Sequence, residues 1–180
     1  MKISPFPEVD SILRQAGLCD CLWVAPSSMT VSQWVRMKCM FGCPDYGKNA
    51  SCPPHVPSVQ ECRELLGEYS HAVLIHLVCD VHSEERGSWC ASYQKLLVEA
   101  ERQVFLAGHE KAFLLSFDNC NLCGECTADP RDCRLPYMRR PTMEAFAIDV
   151  YSSVRRLGYS ISVKKDREEK PDRFALLLVE

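Results

Sequence analysis

Apolar residues recur at helical spacing over residues 7–16, at Val9, Ile12, Leu13 and Ala16, and Gly17 supplies a stop. A short strand is expected at 21–25 and a second helix at about 31–37. Periodicity then vanishes across residues 39–57, a Cys- and Pro-rich stretch that reads as loop. Ser58 with Glu61 three positions on is a capping-box pattern, and Val59, Cys62, Leu65 and Leu66 form the inner face of the helix it opens, which Gly67 ends.

The run from Ala72 to Cys79 is rich in β-branched residues and of strand length, which reads as a central strand buried on both faces. Trp89, Tyr93, Leu96, Leu97, Ala100 and Val104 predict a helix over 88–107, closed by Gly108, and residues 111–117 form another apolar strand. Strand, long helix and strand together predict a right-handed βαβ crossover joining a parallel pair. A second Cys-rich loop spans 118–141 and is followed by a helix over 142–157, with Met143, Phe146, Val150, Val154 and Leu157 inward and Gly158 ending it. Two strands, 159–163 and 174–179, finish the chain around a mixed-charge segment, 164–173, that reads as a solvated loop. The fold class expected is α/β: one domain over residues 1–180, with a sheet of four to five strands, a βαβ core, packed helices and two cysteine loops.

Composition narrows the chemistry. The chain has 180 residues, 47% apolar and 25% charged, which argues against disorder. With 21 basic and 24 acidic side chains the net charge is −3, and no basic face is on offer to neutralise many phosphates, so nucleic acid is not an expected partner. The first residues carry no secretory pattern, and the best apolar run, 72–79, falls well short of the roughly 18 residues of a membrane span, so a cytoplasmic location is expected. The anomaly is sulfur: 12 cysteines in a chain large enough not to need disulfide staples, which in a reducing compartment points to metal or redox chemistry.

The most specific feature is Cys120-x-x-Cys123-x-x-Cys126, with Cys133 further on and Pro136 after it. Thiolates at equal two-residue gaps let a tight loop wrap three corners of one cuboidal 4Fe-4S cluster, and a more distant cysteine reaches the fourth iron or another cluster. Gly124 relaxes the loop and brings amide N–H groups towards the sulfurs, while Arg131, Arg134, Arg139 and Arg140 either balance an anionic cluster or form ordinary surface. Structural zinc, which generally draws two Cys pairs from separate turns, is the alternative metal.

Cys39, Cys43 and Cys52 supply three more thiols in a segment stiffened by prolines, which lowers the entropy lost when the loop orders around a metal. Three such cysteines can hold three irons of a second cluster. The fourth ligand is Cys62, His55 or none, and the last case leaves an open iron for substrate or water. Cys19, Cys21, Cys62, Cys79 and Cys90 fall in expected strand or helix and read as core thiols. His71, His76, His82 and His109 have no metal-binding spacing, and no phosphate loop, nucleophile elbow or paired-His zinc motif is present in the sequence.

Trp34-Val-Arg-Met-Lys-Cys39, the stretch from Cys43 through Cys52-Pro-Pro54, and Cys133-Arg-Leu-Pro-Tyr-Met-Arg-Arg-Pro-Thr-Met-Glu-Ala145 together resemble a prokaryotic family of predicted metal-binding proteins, domain of unknown function 2284. The resemblance runs from about residue 31 to 179 and includes Ala147-Ile-Asp-Val150 and the closing Ala175-Leu-Leu-Leu-Val179. A glycine often stands in that family where this chain has Ala147, a departure expected to touch only local packing. The resemblance implies metal or iron–sulfur binding in a cytoplasmic protein and no known reaction.

Three functions follow as expectations. The leading one is a small 4Fe-4S protein, with Cys120, Cys123, Cys126 and Cys133 on one cluster and Cys39, Cys43 and Cys52 on a second, passing single electrons to or from a partner enzyme. The others are a redox enzyme or reductive activator with an open iron at the first loop, and a zinc-stabilised interaction module.

Overall fold

The computed structural model describes residues 4–163 and 170–180. Helix α1 spans Pro7–Gln15 and β1 Cys21–Val24; α2 spans Gln33–Gly42, α3 Val59–Gly67, β2 Ala72–Val78, α4 Arg86–Leu106, β3 Phe113–Leu115, α5 Val150–Arg156 and β4 Asp172–Leu178. The four strands form one antiparallel sheet in the order β1-β2-β4-β3. The longest pairing is β2 with β4, running from Ala72 opposite Leu178 to Val78 opposite Asp172.

Strand alternation sends side chains to two separate cores. Val73, Ile75, Leu77, Ala175 and Leu177 pack with Val9 and Leu13 of α1 and Leu97, Ala100 and Val104 of α4. Leu74, Phe174, Leu176 and Leu178 pack on the other side with Cys62 and Leu66 of α3, Val154 of α5, and Met143, Phe146 and Ile148. The α/β class and the strand number agree with the sequence reading. The parallel pair does not: β2 and β3 run the same way, but β4 lies between them and is antiparallel to both. An unbroken apolar run signals a strand covered on both faces, and here an antiparallel sheet is covered on both faces.

Three local expectations also change. The helix expected over 142–157 is only Val150–Arg156. The Thr142 hydroxyl accepts the Ala145 N–H at 2.9 Å, Asp149 caps α5 by accepting the Ser152 N–H at 3.0 Å, and Ala147 between them sits at φ +57°. Met143, Phe146 and Ile148 therefore reach the core from a turn. Residues 159–163 form no strand, and 164–169 of the expected charged connection lie outside the described residues. Cys39 belongs to α2, which continues through Phe41 to Gly42 instead of ending before the loop. The capping box of α3 forms as read, with the Glu61 N–H donating to Ser58 Oγ and the Ser58 N–H to Glu61 Oε2.

Candidate metal centre

Both cysteine loops meet at the end of the sheet where β3 finishes and β4 begins. The second loop leaves β3 and is clamped from α4 by Gln94, a buried side chain. Its Nε2 donates to the carbonyls of Asp118 at 3.1 Å and Asn119 at 2.7 Å, and its Oε1 accepts the Asn121 N–H at 2.9 Å. Both donors and the oxygen of one amide thus go to fixing the entry to the Cys120 motif. At the start of β4, Arg173 reaches the Asp118 carboxylate at 3.4 Å.

The first loop is a chain of hydrogen-bonded turns: the Tyr46 N–H donates to the Cys43 carbonyl, Lys48 to Asp45, Cys52 to Asn49 and His55 to Cys52. Gly47, at φ +72°, occupies backbone space that other residues adopt only with strain, and its N–H donates to the Pro53 carbonyl at 3.0 Å. Asn49, Ala50 and Ser51 are buried against the second loop. Asn49 Nδ2 donates to the Cys120 carbonyl at 3.0 Å, and Arg139 Nη1 donates to the Ala50 carbonyl at 2.8 Å.

Two recesses result. Cys120, Cys123, Cys126 and Cys133 line the first, with Asn49, Ala50 and Ser51 as one wall and Arg134 and Arg139 at its side. Cys39, Cys43 and Cys52 line the second, together with Asp45, Asp118, Glu144 and Arg173. Asn49, Ala50 and Ser51 line the first and Cys52 and Pro53 the second, so consecutive residues of one stretch serve both. All of these cysteines are free thiols. Among the described residues, no three His, Cys, Asp or Glu side chains close on a point that a single ion could occupy, so each group is defined by the recess it lines.

The electrostatics are those of crowded sulfur. Burial, and then the neighbouring Cys39, Cys43, Asp45 and Cys120, push the Cys52 thiol up to about 12. Burial also raises Cys39, helped by Cys43 and Glu144 and opposed by the Arg36 guanidinium. Burial raises Cys120, with Cys123, Cys126 and Cys133 adding to it, while the Leu122 amide hydrogen-bonded to its sulfur works the other way. Without a cation these groups hold their protons. A metal or cluster that binds thiolates relieves the mutual repulsion, so the donor set fits such a group.

Of the four arginines around the second loop, two are engaged by carboxylates. Arg131 pairs with Asp129 at 2.7 Å and Arg140 with buried Glu101 at 2.7 Å, which leaves Arg134 and Arg139 on the recess. Cys62, Cys79 and Cys90 are buried as expected, whereas Cys19 is exposed because Leu18 beside it fills the core position, and Cys21 is half-buried. Sequence reading missed Gln94, Asn49, Asp118 and Glu144. A buried Gln on the inward side of α4 was the available signal for the first; the other three are brought to the site by tertiary folding alone.

Among the described residues no helix is long and apolar enough to cross a membrane. Neither the curated proteins nor the solved structures give a match to this chain. A family model does match, over residues 22–179, which takes in both cysteine loops and all four strands but for the first residue of β1. The chain belongs to the family described as predicted metal-binding protein (DUF2284).

Proposed function

We propose that the protein is an iron–sulfur electron carrier with two 4Fe-4S clusters, one on Cys120, Cys123, Cys126 and Cys133 and one on Cys39, Cys43 and Cys52, serving a partner redox enzyme. The observation that carries this reading is the closeness of two thiol-lined recesses, one lined by Asn49, Ala50 and Ser51 and the other by Cys52 of the same stretch, with Cys120 near enough to help raise the Cys52 thiol. When bound, such clusters supply one-electron transfer at a potential set by hydrogen bonds to sulfur, nearby charge and burial. The chain's own part is rigidity and tuning. Gln94 fixes the loop entry, the Leu122 amide contacts the Cys120 sulfur, Arg139 ties Ala50, and Asn49 holds the two loops in register. Thiols kept free of disulfides suit a reducing, cytoplasmic setting.

Anaerobic purification should give a brown protein with absorbance near about 400 nm and about eight irons per chain, falling by about four in Cys123→Ser. A colourless protein with stoichiometric zinc sinks the proposal in favour of a zinc-stabilised module.

A second reading is favoured by a broad cleft beside the first-loop site, lined by Trp34, Lys38, Cys39, Cys43, Tyr151 and Arg155 among others. A cleft running onto two cluster thiols suits a redox enzyme or reductive activator in which substrate approaches an iron there.

A further inference from the structure

Three cysteines leave a four-iron cluster one protein ligand short, and the first-loop recess bears on what supplies it. Cys62 is removed from the recess: fully buried on α3, it packs with Leu66, Met143 and Phe146, and its Sγ lies 3.7 Å from the Pro57 carbonyl. His55 is exposed and stands on the other side, close enough to Asp129 of the second loop to help lower that carboxyl. Neither lines the recess that Cys39, Cys43 and Cys52 share.

Three carboxylates do line it. Asp118 is already engaged at both oxygens: Oδ1 accepts the Asn119 N–H at 2.9 Å, and Oδ2 takes the Cys90 thiol at 3.4 Å and Arg173 at 3.4 Å. Asp45 faces the Asn119 side-chain amide across the loops at 3.4 Å. Glu144 differs in two ways. It stands on the turn between Met143 and Ala145, both buried, and Arg36 holds the Ala145 carbonyl at 2.9 Å, so its backbone is fixed while its side chain is exposed, with its carboxylate hydrogen-bonded within the same turn by Thr142 and its own N–H. It also lines both the recess and the broad outer cleft, at the mouth beside Cys39 and Cys43.

We propose that Glu144 completes the first-loop site, giving it three thiolates and one carboxylate oxygen in place of a fourth cysteine. The inference rests on the iron–sulfur reading above. Carboxylate oxygen is a harder and more weakly held ligand for iron–sulfur iron than thiolate, so the iron it covers is the one open to exchange with a molecule in the outer cleft. The effect of Glu144 on the Cys39 thiol is consistent with that proximity.

The test is iron content and electron paramagnetic resonance of the anaerobically purified full chain, alongside Glu144→Ala, Glu144→Cys, Asp45→Asn and Cys62→Ala. In Glu144→Ala the first cluster should lose about one of its four irons and show a three-iron signal on oxidation, with the second-loop signal unchanged. Glu144→Cys should keep its iron while the first-loop signal changes shape, because a fourth thiolate has replaced the oxygen. Asp45→Asn and Cys62→Ala should keep wild-type iron and spectra. A wild-type spectrum in both Glu144 variants, or loss of iron in Asp45→Asn or Cys62→Ala instead, overturns the assignment while two clusters in the wild type keep the iron–sulfur reading intact. A wild-type protein with no iron, or with none left in Cys123→Ser, removes the first-loop cluster and the inference with it.

Discussion

The Asn49 side-chain amide donates to the Cys120 carbonyl at 3.0 Å, tying the first cysteine loop to the start of the second. The same side chain accepts from the Ser51 N–H at 3.0 Å and the Ser51 hydroxyl at 2.8 Å. Asn49 is buried, so water has little access to replace these bonds. Asn49→Ala leaves the Cys120 carbonyl and the Ser51 N–H without partners and should lower unfolding free energy by about 2–4 kcal/mol in urea titrations. Asn49→Asp keeps the acceptor but turns a donor into an oxygen facing that carbonyl, and should cost at least as much. A variant within about 0.5 kcal/mol of wild type would show that Asn49 does not hold the loops together.

Ala147 is fully buried, and its φ of +57° lies in the left-handed region that disfavours a β-carbon. A glycine at this place would answer a backbone need, so an alanine here is a matter of strain more than of packing. The left-handed conformation costs an alanine about 1–2 kcal/mol, while glycine adds about 0.5–1 kcal/mol of unfolded-state entropy and removes a packed methyl. These nearly cancel, so Ala147→Gly should leave stability within about 1 kcal/mol of wild type, and β-branched Ala147→Val should lower it by more than about 2 kcal/mol. Thermal melts of the two variants check it, and a Val variant as stable as wild type would refute the strain.

Glu101 is buried on α4, where its carboxylate meets Arg140 and accepts the Leu114 N–H at 3.0 Å. Burial raises its carboxyl above the ordinary value, and the guanidinium only partly offsets that. Relative to the unfolded chain, folding therefore favours proton uptake by this group. The stability this group contributes is fully present below the unfolded-state value and is lost as pH rises through the folded one. Glu101→Gln cannot titrate, so stability of wild type minus stability of the variant should shrink as pH rises above the ordinary carboxylate range. Urea titrations of both proteins from that range upward decide it; a gap that widens with pH reverses the argument.

Much of the frame was legible in local pattern. The spacing of Val9, Leu13 and their neighbours marks α1, Ser58 with Glu61 marks the start of α3, and Cys120-x-x-Cys123-x-x-Cys126 marks one lined recess. Strand direction was not legible, because burial on both faces gives Ala72–Val78 the same apolar run in either orientation. Nor was the content of the recesses. Gln94, Asp118 and Glu144 lie on three elements separated along the chain, and no spacing rule links an α4 amide to a loop it meets only after β3 is laid down. The turn at 143–147 escaped as well, since Met143, Phe146 and Val150 mimic a helical stripe while Ala147 breaks the backbone between them.

Thiol labelling tests the proposed division between cysteines that hold metal and those that do not. Cys19 is exposed and outside both recesses, so it should be the first to react with a maleimide in the metal-loaded protein. Cys21, two residues on, is half-buried, and burial beside Asp20 and Asp10 pushes its thiol from 9.0 up to about 12. Its thiolate fraction at neutral pH is then about a thousandfold below an ordinary thiol's, and higher intrinsic nucleophilicity returns only part of this, leaving it roughly fiftyfold slower. Cys43 is also exposed, but if it is a ligand, as proposed above, it should be protected while metal is bound. Stripping the metal with a chelator should bring Cys43 into the fast-labelling set, with Cys52 lagging behind it because its own thiol is pushed up to about 12. Peptide mass spectrometry after short labelling reads each site directly. If Cys43 labels as fast as Cys19 before the metal is removed, the first loop does not bind metal, and the broad cleft beside it opens onto bare thiols.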